Sequence, residues 1–332
     1  MMDYAGRAAQ ADTFPKMLRL NAREHGGEIA LREKDLGLWR EFTWNDYQTR
    51  THDFALGMVE LGLGRDDVIG IIGDNRPDWV AAEIATHAIG AMSLGLYRDV
   101  LDEEAAYLLT YGEAKLVFAE DEEQVDKLLG LADRVPNLRH IIYSDPRGMR
   151  KYDDPRLMEA SKLVGLGRDR AAREPDLYDR LVDATDGDDV AILCTTSGTT
   201  ANPKLAMLSA GRVLRHCATY LSFDPKGPED EYVSVLPLPW IMEQIYALGK
   251  ALLSRMKVNF VEEPDTMMHD FREIAPTFVL FAPRVWESIA ADVRAGVMDA
   301  SPFKQRLYEL GMKTGLAALA EASALSSPTR SC

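Results

Sequence analysis

Apolar and polar positions change period in blocks along the chain. Residues 13–62 read as a helix, a hairpin and a long helix. Pro15 is placed to open the first helix and Thr43 to cap the second. Tyr47, Phe54, Ala55, Met58 and Leu61 then share one face, and Gly62 ends the helix. Residues 68–72 form a short apolar run of buried-strand type, followed by a helix over about 77–89. Residues 115–119 and 140–143 read as further strands. Strands spaced by helical segments predict an α/β fold, a mostly parallel sheet with helices on its faces.

Residues 146–188 are polar and poorly periodic, which reads as a surface excursion and a subdomain junction. The alternation resumes with a strand at 190–195 and a helix at 210–221. A strand at 232–236 and a helix at 241–254 follow, then strands at 258–262 and 277–281. Helical patterns cover 283–293 and about 302–320. The last residues, EASALSSPTRSC, are small and aperiodic, and 313–332 reads as a frayed tail or one foreign to the fold.

With 332 residues, 46% hydrophobic and 27% charged, the chain has the composition of an ordinary globular protein. Its net charge of −15 argues against general nucleic-acid binding but leaves room for a local basic pocket. Three cysteines, Cys194, Cys217 and Cys332, make no disulfide framework and fit a reducing compartment. The start lacks the apolar core of a signal peptide, and no apolar run reaches the roughly 18 residues of a membrane span. These features read as cytoplasmic, with contact at a membrane surface left open. The six histidines are scattered without zinc-ligand spacing, and no serine sits in a nucleophile elbow, so no metal site is expected.

The chemistry concentrates in CTTSGTTANPKLAML, residues 194–208. It begins where an apolar run ends and heads toward a helix-prone segment. Its first half is nearly all Thr, Ser and Gly. Small residues let backbone N–H groups approach an anion, hydroxyls add donors, and Lys204 supplies positive charge for phosphate. A loop of this kind at a strand's carboxyl end lies where α/β sheets bind ligands. It is not the common NTPase loop, which needs Gly before the Lys and Ser or Thr after it; here Pro203 and Leu205 stand there.

The run resembles the loop of the adenylate-forming enzymes, which reads approximately TSGTTGxPKGAML. That family holds acyl-CoA ligases, peptide-synthetase adenylation domains and luciferases. Thr196, Ser197, Gly198, Thr199, Thr200, Pro203, Lys204, Ala206, Met207 and Leu208 match, while Ala201 and Leu205 replace family glycines. The resemblance implies that Thr196, Ser197, Gly198, Thr199, Thr200 and Lys204 bind the β- and γ-phosphates of ATP. SVLPLPWIMEQ, residues 234–244, resembles the segment that walls the family's acyl pocket. Trp240 and Glu243 then fall at the pocket positions, although a Trp after such a strand serves equally well as core filling. APRVWE at 282–287 resembles the family's VPRVYE, with Arg284 read as structural. GDNRPDW at 73–79 and GAMSLGLYRDVLDEEAAYLL at 90–109 also look like the family and read as scaffold; Gly95 stands where the family has Pro.

The resemblance covers about 13–312 and implies the N-terminal part of the large domain of that fold. ATP-dependent activation of a fatty or other carboxylic acid to an acyl-adenylate and then acyl-CoA follows, with ATP, Mg2+ and coenzyme A as family substrates and the long-chain branch the best fit. The family's adenine-binding Tyr-Gly-x-Thr-Glu loop with its magnesium-binding Glu, its ribose-binding Asp, and its small mobile domain with a catalytic Lys are not found in 285–332. The sequence therefore reads as a truncated ligase, inactive alone. The alternative is a non-catalytic nucleotide- or acyl-binding module working with another chain.

Overall fold

The computed structural model describes residues 2–196 and 203–326. Helices α1 (Tyr4–Gln10) and α2 (Phe14–His25) lead into the hairpin of β1 (Ile29–Asp35) and β2 (Leu38–Thr43). Leu36 and Gly37 form its two-residue turn, both at positive φ, which matches the right-handed twist of the flanking strands. Thr43 caps α3 (Trp44–Glu60): its hydroxyl accepts from the Asp46 N–H while the Asp46 carboxylate accepts from the Thr43 N–H.

Strands and helices then alternate as β3 (Val68–Ile72), α4 (Pro77–Ala88), β4 (Met92–Leu96), α5 (Asp102–Tyr111), β5 (Ala114–Ala119), α6 (Glu122–Leu131) and β6 (His140–Tyr143). There follow β7 (Leu157–Glu159), α7 (Ala160–Arg173), α8 (Leu177–Asp183), β8 (Val190–Thr196), β9 (Lys204–Ser209), α9 (Ala210–Phe223) and β10 (Glu231–Ser234). α10 (Ile241–Glu243) runs through a π-helix, Gln244–Lys250, into α11 (Ala251–Ser254); β11 (Lys257–Phe260) and α12 (Met267–Ile274) come next. Met1–Val279 form one compact unit. A second, Leu280–Cys332, holds α13 (Pro283–Met298) and α14 (Pro302–Ser326), which pack on each other.

Seven strands form the larger sheet in the order β7-β6-β5-β3-β4-β8-β9; all neighbours are parallel except the antiparallel pair β8 and β9. The central β3, Val-Ile-Gly-Ile-Ile, is apolar throughout because both faces of the sheet are covered. On one side Phe54 of α3 meets Phe118 of β5, ring centroids 5.0 Å apart. On the other, Leu109, Val125 and Leu128 from α5 and α6 join Leu94, Val117 and Ile141 in one cluster. A second sheet, β10-β11-β1-β2, joins the amino-terminal hairpin to strands from more than 180 residues later.

The layered, mostly parallel α/β architecture is the one the periodicity predicts. Four local expectations differ. Residues 204–209 are not the approach to a helix but strand β9, whose half-buried and exposed positions ride on β8. Residues 277–281 form no strand. A single backbone bond, Thr277 N–H to Glu231 O at 3.1 Å, ties them to the edge of β10, and one bond makes no ladder. The 146–188 stretch is not merely a surface excursion. α7 buries Leu163, Val164 and Gly167, and a side chain at Gly57 or Gly167 would collide with the backbone of the opposing helix, so two glycines set the α3–α7 approach. α14 runs on to Ser326, so 313–326 continue a helix rather than fray.

Candidate active site

β8 lies inside the larger sheet and reaches its carboxyl end at Thr196; β9 returns from Lys204. Cys194 pairs with Ala206, Thr195 with Leu205 and Thr196 with Lys204. The Thr196 hydroxyl donates to the Lys204 carbonyl at 3.3 Å, closing the loop at its base. The Lys204 side chain is exposed. Ser197, Gly198, Thr199, Thr200 and Ala201 lie outside the described residues. The Tyr107 hydroxyl donates to the Pro203 carbonyl at 3.2 Å and fixes the returning strand. Leu205, which takes a family glycine's place, turns away from the loop. It packs on the core cluster, near Gly112 at the end of α5.

The segment 235–240 crosses the carboxyl ends of β3, β4 and β8. Asn75, Cys194 and Gly95 are among the residues that hold it. Asn75, in the β3–α4 connection, donates to Ser234 Oγ at 2.8 Å and to the Leu236 carbonyl at 2.7 Å, and its Oδ1 accepts from Leu238 N–H at 3.1 Å. The Cys194 thiol donates to the Pro239 carbonyl at 3.8 Å. Gly95 of β4 has Pro239 directly against its Cα, where any side chain would stand. Trp240 follows at 37% exposure, so it is no core filler, and it comes next in the chain after Pro239, whose carbonyl meets the Cys194 thiol of β8.

Glu243 points elsewhere. It is fully buried, accepting from Tyr232 Oη at 2.6 Å and from Ser234 Oγ, and burial pushes its carboxyl up to about 8. Its carboxyl braces the strand before the segment instead of facing a ligand. A second buried carboxyl, Glu83 of α4, accepts from Ser93 Oγ at 2.9 Å and from Gln244 Nε2 at 3.1 Å. Asn75, Gly95, Glu83 and Gln244 were not among the sequence candidates. The available signal was a carboxylate and an amide inside otherwise apolar helical runs, PDWVAAEIATHA and QIYALGK.

A cleft of about 1030 Å³ opens between the β1–β2 hairpin and the start of α4, and contains none of these residues. Its cations are already engaged: Arg50 with Asp78, Arg76 with Glu120, Arg168 with Asp53. One three-ligand grouping, His269, Asp270 and Glu273, has the ligand types for a cation. The Lys34 ammonium fills it, 2.8 Å from Asp270 Oδ1 and 2.6 Å from Glu273 Oε2, so it offers magnesium no place. Arg284 is exposed in the first turn of α13. Among the described residues no helix is long and apolar enough to cross a membrane.

Residues 18–327 match the family described as AMP-binding enzyme. The chain belongs to that family. The match extends past 312, through all of α14. A long-chain-fatty-acid–CoA ligase of Xenopus laevis is 26% identical over 92% of this chain and 41% of its own length. One of Homo sapiens is 29% identical over 88% of this chain and 41% of its own. The chain thus spans less than half the length of these curated relatives. Among solved structures, the A-PCP didomain of carboxylic acid reductase from Segniliparus rugosus, in complex with AMP, superposes with a TM-score of 0.70. It is 20% identical, over 92% of this chain and 48% of its own. The luciferase-like enzyme of Zophobas morio gives 0.66 at 21% identity, over 82% and 60%. At such identities the likeness shows a shared fold, that of adenylate-forming enzymes. The non-catalytic module working with another chain is not favoured beside this family membership.

Proposed function

We propose that the chain serves the ATP-dependent activation of a long-chain fatty acid, first to an acyl-adenylate and then to its coenzyme A thioester. The observation that carries this reading is the antiparallel β8–β9 pair at the edge of a parallel sheet, with Lys204 exposed opposite Thr196 where the two strands part, and the Pro239 carbonyl against Cys194 of β8. Strand ends of this kind leave backbone donors free, and an exposed ammonium adds charge where phosphate oxygens would collect.

In this reading the carboxylate attacks the α-phosphate and pyrophosphate leaves. Both reactants are anions, so the site must hold them in line and offset their charge. Thr196, Ser197, Gly198, Thr199, Thr200 and Lys204 take the β- and γ-phosphates, and Trp240 walls the acyl chain. Glu243 keeps that wall in place from behind. Magnesium supplies further positive charge when bound with the nucleotide, although no built site for it exists among the described residues. Coenzyme A, a cytoplasmic location and contact with a membrane surface belong to the same reading.

The chain on its own is expected to release almost no pyrophosphate with ATP, magnesium, a fatty acid and coenzyme A. Each missing transition-state contact typically costs a few kcal/mol, and the described residues offer few. Competition binding tests the phosphate assignment. Inorganic tripolyphosphate should displace ATP while AMP displaces it weakly. Displacement by AMP but not by tripolyphosphate would reject the assignment.

A further inference from the structure

Glu83 is buried at 2% exposure in the middle of α4, a helix buried along most of its length. Its two oxygens accept one bond each, Oε1 from Ser93 Oγ at 2.9 Å and Oε2 from Gln244 Nε2 at 3.1 Å. The same Gln244 nitrogen donates to the Leu238 carbonyl at 2.8 Å, two residues before Trp240. Both partners of that amide accept, so only its nitrogen can serve them, and its oxygen is left buried with no partner. Both bonds suit an ionised Glu83, whereas a protonated one needs an acceptor, which Gln244 Oε1 or Ser93 Oγ could supply.

Among the described residues no charged group faces this carboxylate. From α3 comes the buried Tyr47 phenol, and from β8 the Cys194 thiol; burial pushes both upward, so both stay neutral. His87, one turn along α4, shares Ser93 at 3.1 Å and is pushed down to about 3 by burial, so it too is neutral. A buried carboxylate with no counter-charge takes up a proton far more readily than an exposed one, and Glu83 is pushed up to about 7. The new O–H needs an acceptor. Gln244 Oε1, beside it and unpartnered, becomes that acceptor when the amide turns over. The turn takes Nε2 away from the Leu238 carbonyl.

We propose that Glu83 is a positioning residue for the acyl-pocket wall: through Gln244 it holds the Leu238 carbonyl while ionised, and on gaining a proton it releases that hold and frees Trp240. The proposal rests on the reading of Trp240 as acyl wall for its functional meaning, but not for its structural one. A competing route exists: the new O–H could donate to Ser93 Oγ, whose own hydroxyl would turn to the Ala191 carbonyl 3.3 Å away. Gln244 would then stay still.

The full chain labelled with 5-fluorotryptophan carries five fluorine probes, Trp39, Trp44, Trp79, Trp240 and Trp286. A Trp240→Phe variant assigns the probe of interest, and a fluorine NMR titration from below pH 6 to above pH 8 follows it. The Trp240 resonance should shift with a midpoint near 7. In Glu83→Gln, which removes the titrating carboxyl, it should show no midpoint near 7. In Gln244→Met, which leaves Glu83 in place, it should be insensitive to pH. In Glu243→Gln, which removes the other buried carboxyl behind the segment, the midpoint near 7 should persist. A Trp240 resonance that stays still while Trp79, one turn from Glu83, titrates would overturn the proposal in favour of the Ser93 route. So would a titration unchanged in Glu83→Gln or abolished in Glu243→Gln. Adding a long-chain fatty acid tests the acyl-wall reading apart from this: a Trp240 resonance that titrates but ignores the acid keeps the positioning role and removes its functional meaning.

Discussion

Gly95 of β4 and Pro239 of the segment before α10 touch so closely that a Cβ on Gly95 would lie 2.9 Å from Pro239 Cα and 3.2 Å from Pro239 Cβ. The backbone at Gly95 is not left-handed, so the glycine is required by space alone. Gly95→Ala should push the 237–240 segment off the strand ends and cost about 1–3 kcal/mol, as overpacking does. Denaturant unfolding should show a lower midpoint with an unchanged slope. An alanine variant as stable as the parent would mean that the segment yields easily and is no fixed wall.

Lys250, in the π-helix, is fully buried and its ammonium has no hydrogen-bond partner. It sits over the rings of Tyr220 and Tyr246, 4.1 Å from each centroid. Burial lowers it from 10.5 to about 8. The folded state therefore binds fewer protons than the unfolded state between those values. Stability rises with pH across that window and is lowest, and flat, below it. Lys250→Met should raise the melting temperature at pH 7, by the equivalent of roughly 1–3 kcal/mol, and lose most of that gain above pH 10. A methionine variant less stable at pH 7 would show that the aromatic cage outweighs desolvation.

Glu243 works with the opposite sign. Its carboxyl is raised from 4.5 to about 8, so the stability it contributes is complete below 4.5 and is lost as pH rises through 8. Glu83, raised to about 7, acts in the same direction. Glu243→Gln should then match the parent near pH 4.5 and exceed it at pH 9, with the difference opening between. Melting curves at the two ends are enough to decide. A variant that loses equally at both would make Glu243 a packing element whose ionisation has no bearing on stability.

Much of the fold was readable because period and punctuation agree. Val68–Ile72 is an apolar run of strand length, Thr43 and Asp46 form a capping box, and Pro77 opens α4. What failed was long-range. The β8–β9 hairpin looked like a strand-to-helix passage, because antiparallel pairing depends on a partner strand and not on local propensity. The role of α7 was hidden since its docking uses Gly167 against α3, and a missing side chain leaves no periodic signal. Thr196 and Lys204 were singled out by composition and motif, and the strand pairing that joins them is what the structure adds. Glu243 was legible as a position but not as a buried brace, since its direction is set by Tyr232 and Ser234 on another strand. Asn75 was read as scaffold, and scaffold it is, of the segment that carries Trp240.

The central claim is that the β8–β9 turn binds the phosphates of ATP through Lys204. Calorimetric titration of the chain with ATP and magnesium, beside Lys204→Ala, tests it most directly. Lys204 is exposed, and its backbone rather than its side chain closes the loop base, so the variant should fold as the parent does. Loss of one charge-assisted contact should weaken binding by about 1–3 kcal/mol, roughly ten- to a hundredfold. Equal affinity in the two proteins, or no ATP binding by either, would contradict the account.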